Sequence, residues 1–122
     1  MTNEAIGIRQ HLNEARLLHQ QLAPYEQAVR ALGENAAAGT LHRVCDRLRR
    51  QEMGVRTSIS GMLESAVLSP RQYTVIHLHY LQYQSWTKIA DTLGIERRYA
   101  LQLHTQAIER LASQQIRPCS SP

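Results

Sequence analysis

Ile8, Ala15, Leu22 and Val29 recur every seven residues, and Leu18, Tyr25 and Leu32 stand three residues after the last three of them. Apolar groups at steps of three and four line one side of an α-helix, and a stripe kept up over this length is the seam of a helix lying lengthwise on another. Such an opening commits the chain to helix packing. Pro24 stands inside the pattern. Proline removes one backbone donor and crowds the preceding turn, so the sequence predicts a kink or a break near Ala23, a resumption to Leu32 and a stop at Gly33.

Residues 33–40 (GENAAAGT) carry two glycines and no large apolar group, which suits a connecting turn, with Thr40 as the expected cap of a second long helix. Leu41, Val44, Leu48, Val55, Ile59, Met62 and Leu63 continue the three-and-four spacing to about Ala66. Two long helices joined by a short turn make an antiparallel hairpin. Arg43, Arg47, Arg49 and Arg50 fall mostly off the stripe, as a solvated face or as a contact for a polyanion.

Ser69-Pro70 marks a fresh helix start, because serine caps and proline is tolerated in the first turn. The helix it opens is expected to reach about Gln82. Tyr73, Ile76 and Tyr80 share one side of it and Val75, Leu78 and Leu81 spread over the others, so it should be buried between two neighbours, the hairpin and the short helices that follow. Leu, Ala, Gln, Glu and Arg dominate throughout, and no alternating Val/Ile/Thr stretch is flanked by hairpin turns. The fold class read from this is all-α: an N-terminal antiparallel helical hairpin over residues 1–66, a helix-turn-helix domain over 67–112 and a flexible tail over 113–122.

With 122 residues there is room for one compact unit or a short module on an extended support, not for a multi-domain enzyme. No apolar run exceeds three residues, far from the roughly 18–20 that span a bilayer, so a soluble, cytoplasmic protein with no membrane partner is expected. Cys45 and Cys119 make no disulfide framework, which suits a reducing compartment. His42 and Cys45 share a helical face but fall short of the four ligands of a structural zinc, and His77 and His79 point to different faces, so neither a metal nor a cofactor is expected. Catalysis is not expected either, since there is no phosphate-cradling glycine motif, no activated Ser or Cys and no spaced carboxylate pair.

The net charge of +4 comes from 14 basic and 10 acidic residues, and it is uneven: residues 1–40 sum to −1, residues 41–66 to +2 and residues 67–122 to +3. Such a balance suits a polyanion-binding surface as well as plain solubility. Residues 85–112, SWTKIADTLGIERRYALQLHTQAIERLA, bear on the choice and favour the first over an ordinary wet surface. Ser85 is a good cap, and Trp86, Ile89, Ala90 and Leu93 form the stripe of a two-turn helix that stops at Gly94, with Ile95 plugging the turn. A longer helix follows with Ala100, Leu103, Ala107, Ile108 and Leu111 inward. That is the layout of a helix-turn-helix whose second helix enters a DNA major groove.

At 100° per residue, Arg98, Tyr99, Gln102, Thr105, Gln106 and Glu109 occupy the outer arc of that second helix, with Arg97 at its start. Arginine pairs bidentately with guanine and glutamine with adenine, so Arg97, Arg98, Tyr99, Gln102, Thr105 and Gln106 are the candidates for base readout. Ser85, Thr87 and Lys88, at the start of the preceding helix, are the candidates for phosphate contact, aided by the free amides there.

Residues 68–112 resemble region 4 of the sigma-70 family: a Leu-Ser-Pro-Arg opening, a Val-Ile-x-Leu-x-Tyr helix, then Ile-Ala, Leu-Gly-Ile and a final Ala-Ile-x-x-Leu. With its helical N-terminal hairpin, the chain is similar to small phage and prophage transcriptional regulators with a sigma region 4-like C-terminus. The resemblance implies control of phage transcription, with double-stranded DNA as partner and RNA polymerase or a second copy as contacts of the hairpin. Where the sigma pattern has basic residues this chain has Tyr99 and Leu101, and it has no counterpart of sigma region 2, so it is not expected to melt a promoter by itself. Response regulators of the LuxR type share the Pro-Arg opening and the Ile-Ala and Leu-Gly-Ile core. Two other functions fit the same layout, a small terminase-like DNA-packaging subunit and a protein-interaction module with a degenerate helix-turn-helix.

Overall fold

The computed structural model describes residues 3–33 and 38–119 and is helical throughout: α1 (Asn3–Leu32), α2 (Ala38–Ser65), α3 (Pro70–Ile76), α4 (Trp86–Leu93) and α5 (Arg97–Cys119). The expected all-α architecture is present, with α1 and α2 as an antiparallel hairpin, α1 packed on α5, and α3 and α4 packed on α5 in turn.

Within α1 the burial follows one half of the seven-residue repeat. Ile8, Ala15 and Leu22 are buried, together with Ala5 and Leu12, whereas Tyr25 and Leu32 remain exposed. The helix does not break at Pro24, which lies inside it. A proline forfeits one backbone hydrogen bond, and that loss is local, while α2 packs on both sides of it through Leu18, Leu22 and Val29. Gly33 closes the helix at φ 60°, where its N–H donates to Val29 O at 3.1 Å. Residues 34–37, the centre of the expected turn, lie outside the described residues.

Thr40 is not the cap of α2, which already begins at Ala38. Its hydroxyl instead accepts from Arg43 Nη2 at 3.2 Å, one turn along the helix. The opening of α3 is as read: Ser69 Oγ accepts from Gln72 N, Gln72 Oε1 accepts from Ser69 N, and Pro70 occupies the first turn. The regular helix then ends at Ile76 and continues as one π-helical turn, His77–Leu81, with bonds such as Gln82 N to His77 O at 3.1 Å.

Val75, Ile76, Tyr80 and Leu81 are buried, as are Gln72 and His79, but Tyr73 is 40% exposed and does not share the buried side with Ile76 and Tyr80. The burial between two neighbours is real. Ile76, Tyr80 and Leu81 join Ala5, Ile8, Leu12, Ile59, Leu63, Ile108 and Leu111 in the main core, while Val75 packs with Ile89, Ala100 and Leu103 on the other side.

The hairpin also holds the end of the π-turn by polar contacts. Arg16 of α1 donates to His79 O at 3.2 Å and Arg56 of α2 donates to Leu81 O at 2.5 Å. Tyr83, which follows, has a left-handed backbone with φ 58°. Its hydroxyl donates to Glu52 Oε2 at 2.5 Å, its ring stacks on His19 at 4.2 Å, and the Arg56 guanidinium lies 5.4 Å from the ring centroid. A non-glycine residue in this region costs about 1 kcal/mol or more and persists only when its surroundings hold it. Here they are side chains of both hairpin helices.

Candidate nucleic-acid interface

Two local closures set the angle between α4 and α5. Ser85 Oγ accepts from Lys88 N at 3.2 Å and starts α4. At its end Gly94 takes φ 65°, Gly94 N donates to Asp91 O and Ile95 N donates to Ala90 O, the paired bonds of a Schellman closure, and Ile95 packs on the cluster of Val75, Ile89 and Leu103. A side chain other than glycine at 94 would be strained by its backbone alone.

The inner side of α5 bridges both cores. Ala100 and Leu103 pack toward α4, and Ala107, Ile108, Leu111 and Ala112 pack against the hairpin. With that side buried, Arg97, Arg98, Tyr99, Gln102, Thr105, Gln106 and Glu109 are all exposed. Ser85, Thr87 and Lys88 are exposed as well, at the start of α4. All nine sequence-derived candidates therefore face solvent, six on α5 and three at the α4 entrance.

They are not equivalent in their surroundings. At 100° per residue Arg98, Gln102 and Glu109 form the outermost line, opposite the buried side. Tyr99 and Gln106 stand on the flank nearer α3, where Gln106 Oε1 accepts from Gln72 Nε2 at 3.5 Å and the Arg71 guanidinium lies 6.0 Å from the Tyr99 ring centroid. Thr105 on the other flank donates its hydroxyl to Leu101 O at 3.2 Å. Arg71 was not singled out from the sequence; its signal is the Pro-Arg opening of α3, which sets it beside the exposed arc.

Behind the arc lies a buried polar and aromatic cluster that the sequence does not announce. Tyr80 donates to His104 Nε2 at 2.5 Å, and Trp86 is stacked on His79 at 4.1 Å and set edgewise to His104 at 4.9 Å. His79 Nδ1 donates to Gln84 O at 2.9 Å. Burial pushes His104 down to about 4, helped by the charges of Arg9 and of His79 when protonated. Burial also lowers His79, against the pull of its bond to Gln84 O, and raises Tyr80 to about 12. At neutral pH the three are uncharged, and the cluster ties α4 and α5 to the π-turn. Among the described residues no group of three or more His, Cys, Asp or Glu could hold a metal ion.

Residues 66–113 match the family model of sigma-70, region 4. Sigma-70, region 4 is a helix-turn-helix DNA-binding domain, and it is this domain that the segment is similar to. No curated protein and no solved structure matches the chain. In region 4 terms, α4 and α5 are the two helices of the helix-turn-helix, α3 supports them, and the exposed arc of α5 is the face of the second helix. The match begins at the end of the hairpin, and α5 runs on to Cys119, past the Ala112 at which the sequence reading ended the domain. Residues 120–122 of the expected flexible tail lie outside the described residues. Among the described residues no helix is long and apolar enough to cross a membrane.

Proposed function

We propose that the chain is a sequence-specific, double-stranded DNA-binding transcriptional regulator of the phage and prophage kind. In this reading α5 lies in the major groove, with Arg97, Arg98, Tyr99, Gln102, Thr105 and Gln106 toward base edges and Ser85, Thr87 and Lys88 on phosphates. The hairpin is the arm for a protein partner, RNA polymerase or a second copy, in the cytoplasm.

The observation that carries the reading is the contrast across α5. One side is closed by two cores, while the other presents arginine and glutamine in a continuous exposed line on a helix fixed at its start by the Gly94 closure. Solubility alone does not ask for glutamine and tyrosine there. Arg71, Lys88, Arg97 and Arg98 add positive charge around it.

If about four to six phosphates are neutralised, log K for duplex DNA falls with log salt at a slope of roughly −4 to −5. Fluorescence anisotropy over a salt series on the full chain measures it. A flat response from a folded protein removes the reading.

A further inference from the structure

Leu17 is 54% exposed on α1 and, with the half-buried Leu18 and Val55, floors an open groove of about 560 Å³ between α1 and α2. Val55 also packs on the main core from its other side, while Leu17 and Leu18 belong to neither core that supports α5. At Gly54, on its α2 wall, a Cβ would meet nothing within 4 Å, so another backbone can approach closely. The stripe continues along α1 through Tyr25, 40% exposed, and Leu32, 38% exposed, at the same seven-residue step. One position of the repeat is thus covered by α2, and the other is half covered at Leu18 and exposed at Tyr25 and Leu32. A repeat with both positions apolar is filled when a further helix lies on the second.

The charges at the two ends say which helix. Glu14 edges the groove on α1, and at 100° per residue Arg47 stands on the same side of α2. The hairpin register runs from His11 beside Ser58, at 3.1 Å, to Glu26 beside Arg49, at 2.9 Å. Glu14 is therefore toward the first end and Arg47 toward the second. Both are exposed, and Arg47 makes no ion pair among the described residues.

We propose that a second copy of the chain docks on this groove in antiparallel fashion, making a four-helix bundle about a two-fold axis near Leu17 and Leu18. Rotation about that axis turns the Glu14 end of each copy toward the Arg47 end of the other and lays the exposed leucines together. A self-complementary pattern of this kind is what an isologous interface requires. The inference rests on the reading of the hairpin as a partner-binding arm and names its partner.

Sedimentation equilibrium of the full chain, without DNA, tests it. The expected mass rises with concentration to twice 13.9 kDa. Leu17→Arg, at an exposed position, returns the chain to a monomer with unchanged helical circular dichroism. Glu14→Arg or Arg47→Glu alone weakens association by about tenfold, and the two together restore most of it. A monomer at every concentration, a ring of eight or more, a dimer indifferent to Leu17→Arg, or a double charge reversal weaker than either single change overturns the proposal. DNA titrations on the same samples separate the two readings: a monomer with a steep salt slope removes only the dimer, and a dimer without DNA affinity removes only the DNA reading.

Discussion

The two ends of the hairpin are built from the same pair of helices and the same apolar repeat, yet they do different work. Near the start of α1, Ala5, Ile8, Leu12 and Ala15 with Ile59 and Leu63 of α2 form one core with α3, its π-turn and α5. Toward the turn the two helices have only each other, around Leu22, Cys45 and Leu48. A repeat in one helix therefore fixes that it must be covered but not by what. The first end is part of the body that holds α5, and the second stands apart from that body.

The largest effect that tests this contrast is truncation. A fragment starting at Leu68 keeps the helix-turn-helix pattern but loses every hairpin group that covers Ile76, Tyr80, Leu81, Ile108 and Leu111, and it also loses Arg16, Arg56 and Glu52 at the π-turn. It should aggregate or melt far below the full chain. A monomeric fragment as heat-stable as the whole protein breaks the comparison.

Single core residues sharpen it. Leu12→Ala and Ile59→Ala, both fully buried in the shared core, should each cost about 3–5 kcal/mol in urea unfolding. Leu22→Ala in the arm, with few neighbours and room to relax, belongs nearer 2 kcal/mol. Equal losses at the two ends would make the hairpin one uniform rod.

Acid should act on the shared body next. With His104 lowered to about 4 from an ordinary 6.5, the folded state holds fewer protons than the unfolded chain between those values. Stability is then full above pH 6.5 and falls as the pH drops toward 4, by up to about 3 kcal/mol from this residue; His79 is lowered in the same direction. His104→Gln, which leaves Tyr80 an acceptor, should flatten that part of the stability-pH curve relative to wild type. An unchanged slope removes the assignment. In the arm, breaking the exposed Arg49–Glu26 pair by Glu26→Gln should leave the urea midpoint almost unmoved, with any loss confined to low salt.

What was legible in the sequence was whatever local spacing dictates. Ser69-Pro70, Ser85 and Gly94 act where they were placed, because caps and left-handed closures depend on neighbours a few residues away. The outer arc of α5 was legible for the same reason, since 3.6 residues per turn decide exposure once one side is apolar. At Pro24 the helix stays unbroken because packing against α2 outweighs a local preference, and Thr40 is no cap because α2 already begins at Ala38. The π-turn leaves no periodic trace. The set of Tyr80, Trp86, His79 and His104 meets only after α3, α4 and α5 fold together.

We propose that the outermost line of α5 reads sequence while the α4 entrance holds the backbone. Arg98→Ala and Gln102→Ala, titrated against a duplex selected from a random pool and against its scrambled counterpart, should lose about 1–3 kcal/mol on the selected site and relax the choice of base at one position. Lys88→Ala should weaken both duplexes alike and reduce the salt slope by about one unit. Equal losses on both duplexes for Arg98→Ala and Gln102→Ala would contradict the account, because side chains that read bases cannot be indifferent to them.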